Sequence, residues 1–200
     1  MTRSVRARVR RRRSSGQSLV EFALVFPIFF TILLGIVEFA FAFNAILSVN
    51  FASRNAALYA AEASTGSGAD CVILNSIEHD ITAPADSRHV NSVDIYRAKS
   101  NGDPFLPAEK TTYSRTGTTT CTNPDGTTAA VPYTRTVNGY PEANRCNILA
   151  GCGGTHTSID HIGIRIFYTH TYVTPLQTFV GLGSSMTFDR SNVMRMEPIL

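Results

Sequence analysis

The sequence predicts an α+β protein: a long N-terminal helix that crosses a membrane and continues outside it as a stalk, packed against a small C-terminal antiparallel sheet. Three observations carry this. Residues 22–37 contain no charged side chain, residues 44–63 are rich in alanine, and residues 159–173 alternate apolar with polar. The expected organisation is a basic cytoplasmic leader over 1–16, a membrane helix and stalk over 17–63, and an extracytoplasmic α+β domain over 64–200.

The leader carries seven arginines, at 3, 6, 8, 10, 11, 12 and 13, and no acid. Of the 18 Lys and Arg in the chain, the remaining 11 face all 15 acids, so without the leader the formal charge falls from +3 to −4. The chain is thus mildly acidic with a basic head. That pattern excludes a nucleic-acid-binding fold, whose positive charge is spread over a folded surface. It also argues against a soluble cytoplasmic enzyme.

From Phe22 the chain reads FALVFPIFFTILLGIV, then Glu38, then FAFAFNAILSV to Val49. A hydrocarbon core of about 30 Å needs roughly 20 apolar helical residues, and 19–43 supply them. The run exceeds the roughly 7–15-residue core of an ordinary signal peptide. Pro27 removes one helix hydrogen bond, which is tolerable near the first turns of a membrane helix. Glu38 is expected at the far edge of the span, as a second membrane carboxylate reaching headgroups or water. Arginines beside a first membrane helix remain in the cytoplasm, which places residues from about 50 onward outside.

The junction between leader and helix reads Arg13-Ser14-Ser15-Gly16-Gln17-Ser18-Leu19-Val20-Glu21-Phe22. A carboxylate near a helix start is favoured by free N–H groups and the positive helix end. Deeper in lipid it would cost several kcal/mol unless paired. A glycine after a basic run and a glutamate five residues on, at the charge-to-apolar boundary, resemble the class III signal of type IV pilins and pseudopilins. The resemblance implies cleavage by a prepilin peptidase between Gly16 and Gln17, with Glu21 as the fifth residue of the mature chain. It further implies that Glu21 acts in assembly, pairing with the new α-amino group of a neighbouring subunit and setting the stagger between subunits.

The stretch from Gly16 through Pro27, continuing as Leu33-Leu34-Gly35-Ile36-Val37-Glu38, resembles more closely the N-terminal segment of TadE-like proteins, pseudopilin-like components of tight-adherence (Flp) pilus assembly. More loosely, Thr174-Pro175-Leu176, Gly181-Leu182-Gly183, Met186-Thr187-Phe188 and Met194-Arg195 resemble the end of the same family. The resemblance implies a pilin-like fold and a minor pseudopilin at the bacterial inner membrane, at the base or tip of a pilus. Its implied partners are the membrane, a prepilin peptidase, and other pilin and pilus-assembly subunits.

Beyond the membrane the alanines at 45, 52, 56, 57, 60, 61 and 63 support helix and permit close helix approach. Leu47, Phe51 and Leu58 share a face. That face is expected to serve either as an assembly surface for partner helices or as the seat of this chain's own domain, with both uses open along different faces. Thr65-Gly66-Ser67-Gly68 ends the helix, giving one helix of about 70 Å from Gln17 to Ala63.

In the exported domain, residues 72–115 hold short mixed segments such as Val72-Ile73-Leu74 and Val93-Asp94-Ile95-Tyr96, and 116–155 read as loops with short strands. Ile162, Ile164, Ile166, Tyr168 and Tyr172 then fall on one face, with His161, Arg165, Thr169 and Thr171 on the other: the period of a half-buried strand. Met186, Phe188, Met194 and Met196 share a face of a second strand, or of two segments broken at Ser191-Asn192. The two strands are expected to pair antiparallel.

Cys71, Cys121, Cys146 and Cys152 all lie outside the membrane, where disulfides persist. Three full pairings are available; the favoured one joins Cys146 to Cys152 and Cys71 to Cys121. A rival zinc site from Cys146, Cys152, His156 and His161 has the ligand types but not the spacing of a zinc module. His170 is expected to be partly buried. No nucleophile elbow, phosphate-cradling Gly-rich loop with Lys, or HExxH helix is present, so neither an enzyme nor a cofactor or metal site is expected. Eight of the twelve Phe precede residue 52 and belong to the helix. The competing class is a single-span anchored module, unprocessed, whose disulfide-tied domain binds or adheres to a surface.

Overall fold

The computed structural model describes residues 16–63, 65–149, 151–152, 156–177, 181 and 183–197. The arginine leader up to Ser15, Gly153, Gly154 and Leu182 lie outside them. Helix α1 spans Gln17–Ala63 and α2 spans Ala69–Asp80. The strands are β1 Val90–Ala98, β2 Lys110–Ser114, β3 Thr119–Thr122, β4 Thr128–Val131, β5 Thr134–Asn138, β6 Cys146–Asn147, β7 Gly151–Cys152, β8 His161–Thr171 and β9 Ser185–Arg195. Five of them form one sheet in the order β5-β2-β1-β8-β9, every neighbour antiparallel. The predicted α+β architecture is what the chain adopts.

Among the described residues α1 is the one helix long and apolar enough to cross a membrane, and its most apolar window is uncovered by the rest of the chain. Further along, one stripe becomes buried: Glu38, Ala45, Val49, Ala52, Ser53, Ala56, Ala57, Ala60 and Ala61. The steps of three and four are those of one helix face. Mostly small side chains bring the sheet and α2 close to the helix axis. The larger trio Leu47, Phe51 and Leu58 points away and stays 51%, 55% and 39% exposed. The alanine face, not the bulky one, therefore seats the chain's own domain.

Helix α2 was not legible as a helix in Val72-Ile73-Leu74. Ile73, Leu74 and Ile77 are buried from α2, within the same core as the α1 alanines. Its start depends on Gly68, whose φ is +92° and where an added Cβ would lie 2.0 Å from the Thr122 carbonyl oxygen. The carboxylate of Glu142 supplies the cap, accepting from the Asp70 amide at 2.7 Å and the Gly68 amide at 3.3 Å.

In the sheet, Ile162, Ile164, Ile166 and Tyr168 of β8 are buried, as their alternation predicts, with Val93 and Ile95 of β1. The opposite face of β1 is covered too. Tyr96 lies over β8 at Gly163, where an added Cβ would come within 2.3 Å of the Tyr96 ring, so glycine is required by close approach. Strand β9 pairs with β8 over its whole length and runs unbroken through Ser191-Asn192. The polar pair does not break the strand because Asn192 is used: its Nδ2 donates to Ser53 Oγ at 2.6 Å and to the Asn50 carbonyl at 3.3 Å.

Two disulfides are present, Cys71–Cys121 and Cys146–Cys152. The first ties α2 to the β3–β4 hairpin. The second joins residues directly opposite each other in the β6–β7 pair.

Candidate functional site

The features that bear on function lie along α1, beginning at its N-terminus. Gly16 is exposed, and its carbonyl accepts the Val20 amide at 3.2 Å. Among the described residues a Cβ at Gly16 would meet nothing within 4 Å, so crowding by them does not demand glycine there. Gln17 opens α1, and its side-chain Nε2 donates to Glu21 Oε1 at 3.0 Å. Glu21 is thus the fifth helical residue, one turn beyond the free amides expected to stabilise it; the Gln17 side chain takes that part instead.

The surface of α1 above Glu21 is almost entirely apolar and open. Leu19, Phe22, Leu24, Ile28, Phe29 and Ile32 are all more than half exposed. Such a surface fits lipid or other apolar helices, not water.

Glu38 departs from expectation. It is not a carboxylate reaching out to headgroups or water, being only 7% exposed. The Val173 amide donates to both its oxygens at 3.1 Å and the Thr174 amide to Oε2 at 2.7 Å. His170 Nε2 lies 3.4 Å from Oε1. The segment after β8 therefore folds over α1 and surrounds the one charge in its apolar run. One turn nearer the N-terminus, Leu176 lies over Gly35, 3.7 Å from where a Cβ would stand. His170, expected to be partly buried, is buried by this contact.

The sequence held a signal for this arrangement. Glu38 precedes Ala42, Ala45 and Val49 by four, seven and eleven, so it belongs to the stripe that docks the domain. His170 shares the even-numbered parity of the buried β8 residues. What no pattern indicated is that the partners are the backbone amides of Val173 and Thr174.

A second polar cluster lies inside the C-terminal domain. Asp160 accepts from Arg97 Nε at 2.8 Å, Tyr140 Oη at 2.9 Å and the Cys146 amide at 3.0 Å, with His156 Nδ1 at 2.7 Å. Arg145 is fully buried, paired with Asp70, and its guanidinium lies 5.2 Å from the centre of the Tyr140 ring. Tyr113 Oη donates to Asp70 at 2.8 Å. Burial raises the phenol pKa values of Tyr113, Tyr133 and Tyr140, reinforced by the carboxylates of Asp70, Glu78 and Asp160 beside them. Asp160 and Asp70 are thus well supplied with donors, which is how buried charge is tolerated, whereas Arg145 bonds through Nη2 and its Nε and Nη1 have no hydrogen-bond partner among the described residues. With Cys146 and Cys152 joined to each other and His156 held by Asp160, three of the four side chains of the rival zinc reading are engaged elsewhere. An open cleft nearby is lined by Arg97, Lys99, Phe105, Asp160, His161 and Arg195. Two of its cations are already engaged, Arg97 with Asp160 and Arg195 with Glu197.

Residues 16–58 match a family model described as TadE-like protein. The match begins at Gly16 and ends within α1, leaving the sheet and the looser C-terminal resemblance outside it. No curated protein and no solved structure matches the chain.

Proposed function

We propose that this chain is a minor pseudopilin-like protein of the bacterial inner membrane that helps initiate or build a tight-adherence (Flp-type IVb) pilus. Its N-terminus is cytoplasmic, its sheet domain extracytoplasmic, and its role structural, not catalytic. A prepilin peptidase cuts between Gly16 and Gln17. The new α-amino group then pairs with Glu21 of a neighbouring subunit, which neutralises two charges that apolar surroundings would penalise and fixes the register between helices.

The observation that carries this reading is the junction itself. The family match begins at the glycine expected to be cut, nothing among the described residues crowds that position, and an uncovered apolar helix follows. The match also implies association with tight-adherence pili and with their pilin-type subunits.

The test is the N-terminal residue of membrane-extracted protein, read by mass spectrometry in cells with and without their prepilin peptidase. A chain beginning at Gln17 only when the peptidase is present is expected. Replacing Gly16 by a bulky residue should block processing and leave insertion intact. Replacing Glu21 by Ala should leave insertion intact and impair assembly. A chain that keeps its arginines under both conditions would favour the unprocessed, anchored binding module.

A further inference from the structure

The segment that covers Glu38 carries exposed apolar side chains of its own. Val173 is 65% exposed, Pro175 is exposed, and Leu176 is half-buried against Gly35. A solvated connection between two strands would be expected to carry polar side chains here. The height of this segment on α1 explains them. From Gln17 to Glu38 the helix rises about 31 Å at about 1.5 Å per residue, which equals the roughly 30 Å hydrocarbon core. With the helix start held at the cytoplasmic face, Gly35 and Glu38 lie at the outer boundary of the hydrocarbon. At and above that height α1 still presents Ile36, Phe39 and Phe43, 65%, 70% and 51% exposed. Apolar helix surface therefore continues past the level at which the segment docks.

We propose that the segment 172–177 is a second membrane contact. It is seated at the headgroup boundary of the outer leaflet, with Val173 and Pro175 turned into lipid while the backbone amides of Val173 and Thr174 face inward on Glu38. The two halves of the arrangement need each other. A carboxylate at that depth is costly unless neutralised or hydrogen-bonded, and backbone amides at that depth need an acceptor. Each supplies what the other lacks, and the exposed Val173 side chain is turned to the bilayer. The sheet is then held at a fixed height and angle to the membrane by two points instead of one. The occupant of this surface is lipid; the inference rests on α1 being a membrane span, but not on pilus assembly.

The chain contains no tryptophan, so a single introduced Trp reports its own surroundings. Three variants of the full chain are purified and reconstituted into vesicles of phosphatidylcholine and phosphatidylglycerol, with or without bromine near the glycerol end of the acyl chains. Val173→Trp tests the contact. Phe30→Trp, on the open surface of α1, tests the span. Ile148→Trp, exposed beside Asn147, whose side chain bonds Thr65 past the outer end of α1, is the distal control. Expected is blue-shifted emission from Trp at 173 that loses most of its intensity in brominated vesicles, quenching at 30, and no quenching at 148. Quenching at 30 without quenching at 173 would overturn the inference and leave the span intact. A blue-shifted Trp at 173 insensitive to bromine would overturn it in favour of a protein neighbour. No quenching at 30 would remove the span and the inference together. Quenching at 148 as well would mean that the domain lies flat on the bilayer, which the two-point attachment excludes.

Discussion

At the residue scale Glu38 is the side chain on which the junction between helix and domain turns. Its two oxygens are the acceptors for the Val173 and Thr174 amides, and removing them leaves buried N–H groups without partners, a cost of about 1–3 kcal/mol. Glu38→Ala should therefore loosen the segment after β8 without unfolding the sheet. Hydrogen exchange at those two amides should accelerate by about tenfold or more, since about 1.4 kcal/mol corresponds to a factor of ten. Glu38→Gln keeps one acceptor oxygen and should accelerate it less. Equal, unchanged exchange in both variants would show that the carboxylate does not hold the segment. Only half of this was readable beforehand. The sequence marked Glu38 as an isolated charge in an apolar run, because charge is a property of the residue. It could not show that backbone amides complete the site, since every residue but proline carries one.

At the element scale α1 has two faces with opposite assignments. Ala56 is fully buried against the domain, whereas Leu58, two residues on, is 39% exposed. Ala56→Leu forces extra methyl and methylene groups into a close contact and should cost about 1–3 kcal/mol, lowering the denaturation midpoint of the purified protein. Leu58→Ala should change that midpoint little, as surface changes usually stay within about 0.5 kcal/mol, while lowering the amount of assembled pilus in cells. If Leu58→Ala destabilised the isolated protein as much as Ala56→Leu, the division of faces would be wrong. The length of α1 was legible because apolar composition, alanine and a Thr-Gly-Ser-Gly terminator agree over many residues. Its docking face was not, because bulky side chains are the usual sign of burial, and here burial is achieved by small ones. The β8 and β9 strands were legible from strict alternation. Helix α2 and the central position of β1 were not: β1 is covered on both faces by Tyr96, Asp94 and their partners, which erases the alternation, and α2 shows too few turns of amphipathic pattern to stand out from its polar neighbours.

At the scale of the whole molecule, three tyrosine hydroxyls link parts distant in sequence. Tyr113 Oη donates to Asp70 on α2 at 2.8 Å, Tyr140 Oη to Asp160 before β8 at 2.9 Å, and Tyr133 Oη to Glu78 at the far end of α2. Burial, and then the adjacent carboxylates, raise all three phenols above their ordinary value. The sign of the pH effect follows. Below about pH 10, the ordinary phenol value, folded and unfolded chains both keep these protons, and the three groups add no pH dependence. Above it the unfolded chain releases them while the folded chain retains them, so the unfolded state binds fewer protons and stability falls as pH rises toward the folded values. Alkali should therefore unfold the domain as a unit even though both disulfides remain closed. With no tryptophan to obscure it, phenolate absorbance can be followed beside the circular dichroism of the sheet. The signal from Tyr113, Tyr133 and Tyr140 should appear only at higher pH, in step with loss of the sheet. Ionisation of these three phenols near pH 10 with the sheet intact would mean that these hydroxyls are not what joins α2 to the rest of the domain, and that the alanine face of α1 and the disulfides hold it alone.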